Sequence, residues 1–490
     1  MKEAKKHNNK SVLSGLIWKF GERFGVQVSL FVLQIVLARI LDPEHYGVLS
    51  MMLIFTTLAN VFIQRGFNTS LIQNEEVTED DYSSVFWVTL LIAAVLYTAL
   101  FASAPLIAAF YNMPDLVAPF RVLCLVLFPG ALNSIQLAKI SRNMAFKNVF
   151  YSNLTAILVS GAAGIAAALL GAGLWALVLQ KLLNVLIACL VMWYTVKWRP
   201  RLVLNMQRVK VLFSYGWKLL VSGLIDTLYQ DIRSLVVGKK YNSDMLAYYN
   251  RGKQFPQFII NAVDSSVKGV LLPSLSRYQN DREKLSTMMR TSITISSYII
   301  FPVMAGLMGV SEPMVRILLT DKWLPCVPYM QIYCFTLAFH PVHSCNLQAI
   351  NAIGRSDVFL KLEVIKKTIG IVSLVIAVIC FDSPLAIAMT GIVTTLISCF
   401  INAAPNKKLV GYSYWQQLAD ILPAFLASSV MLGAVLLVSL LHLNSYATLL
   451  IQILVGIAVY ILFSVVFRLK AFYTILSMLK KNVFRKKKSK

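Results

Sequence analysis

The stretch VFWVTLLIAAVLYTALFASAPL, residues 85–106, decides the fold of this chain. A bilayer hydrocarbon core about 30 Å thick requires about 20 apolar residues of helix, since each residue advances a helix by about 1.5 Å. Only helices and closed barrels satisfy their backbone hydrogen bonds in lipid. The stretch lacks the period-2 alternation of a barrel strand, so it predicts a transmembrane helix.

Similar apolar runs recur along all 490 residues, of which 58% are hydrophobic and 14% charged. Soluble domains carry about 25% charged residues, so the composition indicates a membrane protein. We predict an all-α polytopic membrane protein with about 14 transmembrane helices. The predicted helices lie near residues 12–38, 47–64, 84–104, 118–137, 151–170, 174–195, 212–237, 252–273, 291–310, 327–348, 367–381, 385–403, 419–441 and 447–467.

Lys and Arg residues collect in alternate gaps between these helices. The N-terminal segment, residues 197–210, 277–290, 355–367 and 407–408, and the tail from 480 to 490 are basic and fall on one face. The positive-inside rule places that face, and both termini, in the cytoplasm. The net charge of +24 is then explained by basic residues that orient the chain in the membrane and that contact anionic lipid headgroups. Nucleic-acid binding is not predicted, because it needs a soluble module.

The first apolar segment is predicted to remain as a helix rather than to be cleaved as a signal peptide. It carries Lys19, Glu22 and Arg23, and it lacks a small-x-small site at its end.

The seven cysteines are scattered and form no C-x-x-C pair, which predicts apolar packing. His340, His343 and Cys345 are too loosely spaced to indicate a metal site, so no metal is expected. His340 precedes Pro341, and a polar kink in the helix is the simpler interpretation.

The chain repeats itself after about 200 residues. GLIWK at residues 15–19 returns as YGWK at 215–218, and LDPEHYG at 41–47 has a loose counterpart in YNSDMLA at 241–247. Six predicted helices separate the repeats, so the halves share one orientation, as in transporters with a substrate site between lobes. We predict two parallel six-helix lobes with pseudo-two-fold symmetry, followed by two further helices. The predicted divisions are residues 1–196, a basic cytoplasmic linker at 197–211, residues 212–403, residues 404–467 and a basic tail at 468–490.

Polar residues concentrate on the first, second, seventh and eighth predicted helices, at spacings that form stripes. These four helices are predicted to line an aqueous cavity, whereas the third, fifth, eleventh and fourteenth are almost purely apolar. The alternative is that the polar groups only hydrogen-bond between helices. The polar cavity residues proposed from the stripes are Gln27, Asn60, Gln64, Gln230 and Asn261.

Charged residues within membrane spans are functional candidates by default, because insertion costs about 2.5–3.5 kcal/mol each at mid-helix. Fixed positive charge in the cavity suits an anionic, phosphate-bearing substrate. Asp226, which has no basic residue three or four positions away in the sequence, is the leading candidate for ion coupling, and Asp264 and Glu22 are further candidates. The predicted substrate-binding cations are Lys19, Arg23, Arg251, Lys253 and Lys268.

Several motifs then add a resemblance. ARILDPEHYG at residues 38–47 resembles the ARxLxPxxYG turn of Wzx-type polysaccharide flippases, whose superfamily also contains multidrug and lipid II exporters. Segments similar to the WzxC and teichuronic-acid exporter branch follow in the expected order: GFNTSLIQ at 66–73, TEDD at 78–81, LPSLSRYQND at 272–281, KWLP at 322–325 and AIGRSD at 352–357.

The resemblance implies a flippase of the bacterial cytoplasmic membrane that moves an undecaprenyl-pyrophosphate-linked oligosaccharide between leaflets by alternating access. It implies no cofactor, with Na⁺ or H⁺ as the candidate coupling ion, and no phosphate-binding G-x-x-x-x-G-K-[ST] loop occurs in the sequence. Membrane lipids, a polysaccharide polymerase and glycosyltransferases are the expected partners.

Two alternatives remain open from the sequence. A drug or cation exporter of the same superfamily would favour a cavity dominated by carboxylates and aromatic side chains. A membrane glycosyltransferase or polymerase would need a larger external loop or a cytosolic catalytic domain than the predicted gaps provide.

Overall fold

The computed structural model describes residues 25–74, 76–143 and 146–477, apart from the side chains of a few helical residues that include Lys268. The regular elements in these residues are all helices, which confirms the predicted all-α class. The first helices are α1 (Gln27–Ile40), α2 (Pro43–Gln64), α3 (Phe67–Gln73), α4 (Glu79–Tyr111), α5 (Val117–Leu123), α6 (Leu127–Asn143), α7 (Phe146–Leu169), α8 (Leu174–Thr195), α9 (Met206–Lys240) and α10 (Ser243–Ser276).

The remaining helices continue to the C-terminal end of the described chain. They are α11 (Arg282–Gly309), α12 (Ser311–Leu319), α13 (Val327–Ala338), α14 (His340–Ala352), α15 (Ser356–Cys380), α16 (Pro384–Ala403), α17 (Asn406–Leu409), α18 (Tyr414–Val438) and α19 (Ser445–Val466).

Length and composition qualify many of these helices as membrane spans. Within the described residues nine spans are long and apolar enough, and a bent pair inside α9 would make ten. Every predicted span overlaps a helix, although the total of fourteen stays a prediction. The predicted first, seventh, eighth, tenth and eleventh spans are absent from the nine. Polar and charged residues lower the mean hydropathy of several of these helices.

The sequence misjudged several helix boundaries. The eleventh span was predicted to begin at residue 367, but α15 begins at Ser356. The first turns of α15 contain charged residues, and the hydropathy of the sequence therefore did not indicate that they are helical. The tenth predicted span is two helices that meet at Phe339, next to Pro341, which cannot donate a backbone hydrogen bond. The predicted linker at 197–211 is helical from Met206 onward.

Local sequence explains where several helices start. Thr78 forms a capping box with Asp81 at the beginning of α4, with the Asp81 N–H donating to Thr78 Oγ1 at 3.2 Å. Pro43 occupies the first turn of α2, where its missing N–H costs nothing. Asn205 caps α9 by accepting a hydrogen bond from the Arg208 backbone N–H at 3.2 Å.

The chain forms two compact units that divide between Ala247 and Tyr248. In the first unit α7 and α8 pack side by side, α4 packs on α6, and α9 packs on α2, α3 and α4. A buried cluster joins α3, α4 and α6 to the start of α9; it contains Phe67, Leu71, Tyr82, Val85, Phe86, Ile135, Ala138, Trp198, Val209 and Leu212.

In the second unit α18 packs along α11 and α19, and α15 pairs with α16. Helices α13 and α14 pack against α11 and α16. Tyr298 on α11 and Ser464 on α19 share a buried hydrogen bond of 2.7 Å, and the Tyr460 hydroxyl donates to the Tyr298 carbonyl at 2.7 Å. The two C-terminal helices are therefore fixed to α11 by polar as well as apolar contacts.

Helix boundaries recur at a nearly constant interval along the chain. Helices α1 and α9 end at Ile40 and Lys240, and α2 and α10 begin at Pro43 and Ser243, in both cases 200 residues apart. Helices α8 and α16 begin at Leu174 and Pro384, 210 residues apart. This recurrence is consistent with the repeat detected in the sequence, while the predicted lobe divisions remain a prediction.

Candidate functional site

Exposed polar side chains lie on three helices of the first unit, of which α2 is long and apolar enough to span a membrane. Thr57 and Gln64 on α2, and Ser222 and Gln230 on α9, are all exposed, as is Gln27 on α1. We call these five residues, together with Arg65, the exposed polar face. Hydrocarbon penalises unsatisfied amide groups by several kcal/mol, so lipid is a poor environment for this face. That these residues line an aqueous cavity stays a prediction.

Arg65 is a cation on this face that sequence reasoning did not select. It directly follows α2, its side chain is exposed, and it packs so closely on α9 that a Cβ added at Gly223 would lie 2.5 Å from the Arg65 Cδ. Gly66 follows with φ of +94°, a backbone conformation that favours glycine. The adjacent predicted residue Gln64 and the GFNTSLIQ motif are the sequence signals that could have pointed to this position.

Two other predicted residues of the first unit are less exposed. Asp226 is half-buried on α9, one turn before the exposed Gln230. Asn60 lies on α2 facing Gly130, where an added Cβ would be 3.2 Å from the Asn60 Oδ1. That oxygen is buried and accepts no hydrogen bond within the described residues. Lys19, Glu22 and Arg23, three predicted site residues, lie outside the described residues.

In the second unit the predicted polar stripe on α10 is present. Gln257 Nε2 donates to Asn261 Oδ1 at 2.8 Å, and Asn261 is exposed. Three residues farther along, Asp264 meets α14: Ser344 Oγ donates to Asp264 Oδ1 at 2.7 Å, and His340 Nδ1 lies 3.5 Å from the same oxygen. The sequence selected Asp264 but interpreted His340 only as part of a kink.

Two predicted cations of the second unit, Arg251 and Lys253, lie within the described residues, whereas the side chain of Lys268 does not. Arg251 is 5% exposed, and its guanidinium lies 4.7 Å from the ring centre of the buried Trp323, while its Nη1 donates to Gln254 Oε1 at 2.8 Å. Lys253 is half-buried two residues later. These contacts give Arg251 a packing role in this structure. Substrate contact by Arg251, Lys253 and Lys268 stays a prediction.

The segment that joins α8 to α9 is fixed to the first unit. The Trp198 indole N–H donates to Glu79 Oε2 at 2.7 Å, and the Arg201 backbone N–H donates to Ser83 Oγ at 3.0 Å. The Arg201 carbonyl in turn accepts a hydrogen bond from the Trp87 indole at 2.8 Å. The predicted cytoplasmic linker is thus an ordered strap across α4.

An ion pair closes this strap at the start of α9. Arg208 donates through Nε to Asp81 Oδ1 at 3.0 Å and through Nη2 to Asp81 Oδ2 at 2.9 Å. The Asp81 side chain is 1% exposed, so this bidentate contact is buried on the carboxylate side. Asp81 of the TEDD motif therefore has a structural role.

The other motifs also serve helix packing and turns. A Cβ added at Gly47 in the ARILDPEHYG motif would lie 1.8 Å from the Ser243 carbonyl oxygen, so glycine permits the starts of α2 and α10 to touch. In the AIGRSD motif Arg355 holds Asp357 with two hydrogen bonds of 2.8 Å, which lowers the pKa of that carboxyl group. These contacts give the residues of both motifs structural roles.

Comparison with known proteins identifies the family. Residues 36–328 match the model of a family described as polysaccharide biosynthesis protein. The chain is 24% identical over 436 residues to the succinoglycan biosynthesis transport protein ExoT of Rhizobium meliloti, covering 88% of this chain and 86% of ExoT. It is 25% identical over 402 residues to the lipopolysaccharide biosynthesis protein WzxC of Escherichia coli, covering 80% of each chain.

The teichuronic acid biosynthesis protein TuaB of Bacillus subtilis is 26% identical over 312 residues, which is 62% of this chain and 63% of TuaB. WzxC and TuaB represent the branch that the sequence motifs resemble, so the predicted resemblance is confirmed.

Solved structures of transporters share the fold. The lipid II flippase MurJ, in an inward closed conformation, superposes with a TM-score of 0.72 at 18% identity, covering 93% of this chain and 98% of that one. An inward-facing multidrug resistance MATE family transporter gives a TM-score of 0.57 at 16% identity, covering 85% and 98%. The prediction of a multi-pass membrane protein is confirmed, and the fold is the one that these transporters have. With more than half of its length matched by the family model, this chain belongs to the polysaccharide biosynthesis protein family.

Proposed function

We propose that the chain is a flippase that moves undecaprenyl-pyrophosphate-linked oligosaccharide repeat units across the bacterial cytoplasmic membrane by alternating access. The observation that carries the proposal is the exposed polar face on α1, α2 and α9 of the first unit. A flippase must shield a sugar and a pyrophosphate from lipid while the isoprenoid tail remains in it. Exposed amides, hydroxyls and a cation supply that shielding.

The comparisons support this function over its alternatives. Relatives named for succinoglycan, lipopolysaccharide and teichuronic acid biosynthesis align with 62–88% of the length of this chain. A lipid II flippase has the same fold. The MATE transporters also share it, so the fold alone does not separate a lipid-linked sugar from a drug. The family match, which concerns polysaccharide synthesis, favours the sugar.

We propose Arg65 as a contact for the substrate pyrophosphate. Guanidinium groups bind phosphate through paired hydrogen bonds, and Arg65 is exposed at the end of α2 beside Gln64. The positive-inside pattern assigns this end of α2 to the cytoplasmic side, where the substrate is loaded. The predicted cations Lys19 and Arg23 would add to the positive charge of this loading site.

The same proposal assigns orientation and partners. Both termini lie in the cytoplasm, no cofactor is required, and an Na⁺ or H⁺ gradient or consumption of the product outside gives the transport its direction. Glycosyltransferases supply the substrate inside, and a polysaccharide polymerase consumes it outside. Genes for such enzymes next to the gene for this chain would support the assignment and narrow the identity of the glycan.

The test is complementation of a deletion strain. We expect loss of the protein to accumulate lipid-linked oligosaccharide on the inner leaflet, and Arg65→Ala to lower surface polysaccharide about tenfold or more, because one charge-assisted phosphate contact contributes about 1.5–3 kcal/mol. The matched control is Arg282→Ala, which removes an exposed arginine at the start of α11. Equal export by the two variants at equal abundance would contradict the role of Arg65.

A separate measurement on purified protein tests the alternative that the chain is a polymerase. Purified protein in liposomes should translocate the lipid-linked oligosaccharide without lengthening it. Formation of sugar polymer by the purified protein would instead identify a polymerase.

A further inference from the structure

A carboxylate and an imidazole meet inside the second unit. Asp264 on α10 and His340 at the start of α14 are 3.5 Å apart between Oδ1 and Nδ1. Ser344, one turn after His340, donates to the same Asp264 oxygen at 2.7 Å. His340 and Ser344 therefore hold one carboxylate oxygen between them, from the same face of α14.

Both side chains of the pair are mostly buried but remain partly exposed to solvent. The Asp264 side chain is 16% exposed and the His340 side chain 33% exposed. The pair lies where α13 and α14 meet at Phe339, beside Pro341. Pro341 cannot donate a backbone hydrogen bond, so the helix is interrupted at this point. An ionisable residue at such a place is a functional candidate.

We propose that Asp264 and His340 form a proton-binding pair that couples a proton gradient to transport, an inference that rests on the proposed flippase function. With one proton the pair is neutral overall, either as carboxylate and imidazolium or as carboxylic acid and imidazole. Removing that proton leaves one negative charge, and adding a second leaves one positive charge. Because net charge is costly in a membrane interior, loading and release require contact with water.

The chemistry of the pair favours a proton over Na⁺. A metal cation at Asp264 would have to share the carboxylate oxygen with the His340 nitrogen, and an imidazolium at 3.5 Å would repel it. Hard cations bind several oxygen ligands, whereas the imidazole nitrogen accepts a proton directly.

Other titratable and charged groups lie on α14 itself and on the helices packed against it. His343 faces α16, with Nδ1 at 3.2 Å from Asn402 Nδ2 and Nε2 at 3.7 Å from Cys399 Sγ. On α15, Lys366 forms an ion pair with Glu363.

Lys361 and Lys367 are further basic residues of α15, and other neighbouring helices also carry charged residues. On α11 and α18, Arg290 pairs with Asp420 at 2.7 Å. Helices α13 and α16 contribute no charged residue. Cys345 follows Ser344 on α14 and is buried. Lys268 follows Asp264 by one turn of α10, and its side chain lies outside the described residues. In sequence it is the nearest cation to Asp264.

Histidine NMR tests the pair directly on full-length protein in lipid nanodiscs. The chain has five histidines, so ¹⁵N-imidazole signals can be assigned by substitution, with His340→Gln removing one of them. We expect Asp264→Asn to move the His340 titration midpoint to more acidic pH by about 1–3 units, because an adjacent carboxylate stabilises imidazolium. Asp357→Asn, the same change at an exposed site, should leave it unmoved. An unmoved His340 midpoint in Asp264→Asn would overturn the pair.

The transport assay uses proteoliposomes that contain lipid-linked oligosaccharide. We expect a pH gradient, acidic on the side that receives the substrate, to accelerate wild-type flipping several-fold and an Na⁺ gradient to have no effect. In Asp264→Asn and in His340→Gln the ratio of rates with and without the pH gradient should fall to about one, while Asp357→Asn keeps the wild-type ratio.

The outcomes separate the two proposals. Flipping that responds to Na⁺ and not to pH would overturn the proton pair and leave the flippase function standing. No flipping by the wild type under any gradient, with an Asp264-dependent His340 titration, would overturn the flippase function and keep the proton site. If Asp264→Asn gives no folded protein, the transport assay on His340→Gln is the test. Loss of acceleration by the pH gradient in that variant would support the pair, and unchanged acceleration would overturn it.

Discussion

The buried carboxylate of Asp81 provides the sharpest test of how the strap between α8 and α9 is held. Asp81 accepts two hydrogen bonds from Arg208 and one from the Thr78 backbone N–H at 2.9 Å. In Asp81→Asn the charge is lost and the amide nitrogen replaces one acceptor, so Arg208 loses its counterion. Breaking a buried pair by removing one partner costs about 3–5 kcal/mol. Because the Arg208 side chain is 36% exposed and keeps some hydration, we expect the lower end, about 3 kcal/mol.

The assay is thermal unfolding of detergent-purified protein, followed with a thiol-reactive dye that reports the buried cysteines. For a unit of about 250 residues, roughly 3 kcal/mol corresponds to a melting temperature lower by about 6–12 °C. Asp80→Asn is the matched control. Asp80 is 51% exposed and its 3.5 Å pair with Arg201 is exposed on both sides, so its loss should cost less than about 1 kcal/mol.

A double substitution distinguishes a coupled pair from two independent residues. Asp81→Asn combined with Arg208→Gln should cost clearly less than the sum of the single changes, since each single change already leaves its partner unpaired. Additive losses, or equal melting temperatures for the Asp81 and Asp80 variants, would refute the reasoning.

Three further predictions concern packing and charge. Gly47→Ala should destabilise the protein by about 1–3 kcal/mol in thermal melts, because its Cβ would meet the Ser243 carbonyl, whereas Gly433→Ala, which meets no atom within 4 Å, should not. Arg251→Ala should lower the free energy of unfolding by about 2 kcal/mol, because the desolvated cation–π contact with Trp323 is lost. Export per folded molecule should stay unchanged. Reduced export per folded molecule would instead support a role of Arg251 in substrate binding. Asp244→Asn should raise the melting temperature at neutral pH and have no effect in acid.

The sign of the Asp244 effect follows from its surroundings. Burial, and then the nearby carboxylates of Glu44 and Asp42, raise the pKa of Asp244 in the folded protein. A raised pKa means that protonation of Asp244 stabilises the folded state. This stabilisation is complete at pH values below the ordinary carboxyl pKa near 4. That contribution is lost as the pH rises through the folded-state value. A melting temperature difference that persists at pH 3 would count against this account.

The sequence predicted the apolar helices well because their boundaries have local causes. Helix α8 spans the predicted residues 174–195, since Gly173, at φ of +51°, precedes it and the basic strap follows it. The start of α15 was missed for the opposite reason: Lys361 and Glu363 lie in ordered helix, and hydropathy detects only its lipid-facing part.

The candidate site was less predictable because it depends on contacts between distant residues. Stripe spacing selected Asp264 but carries no information about His340, which lies 76 residues later and meets it only through packing of α10 on α14. The same spacing could not distinguish Arg251, buried against Trp323, from an exposed cation such as Arg65. Periodicity describes the face of one helix, and the neighbour of that face is a property of the fold.

The ordered strap has a practical consequence for engineering this protein. A protease site or a fluorescent protein inserted into the strap would break the Trp198–Glu79 and Arg201–Ser83 hydrogen bonds and detach the start of α9. The exposed turn at residues 277–280, between α10 and α11, makes no comparable side-chain contacts among the described residues. Reporters and cleavage sites belong in that turn, and a chain expressed as two separate polypeptides should be divided there.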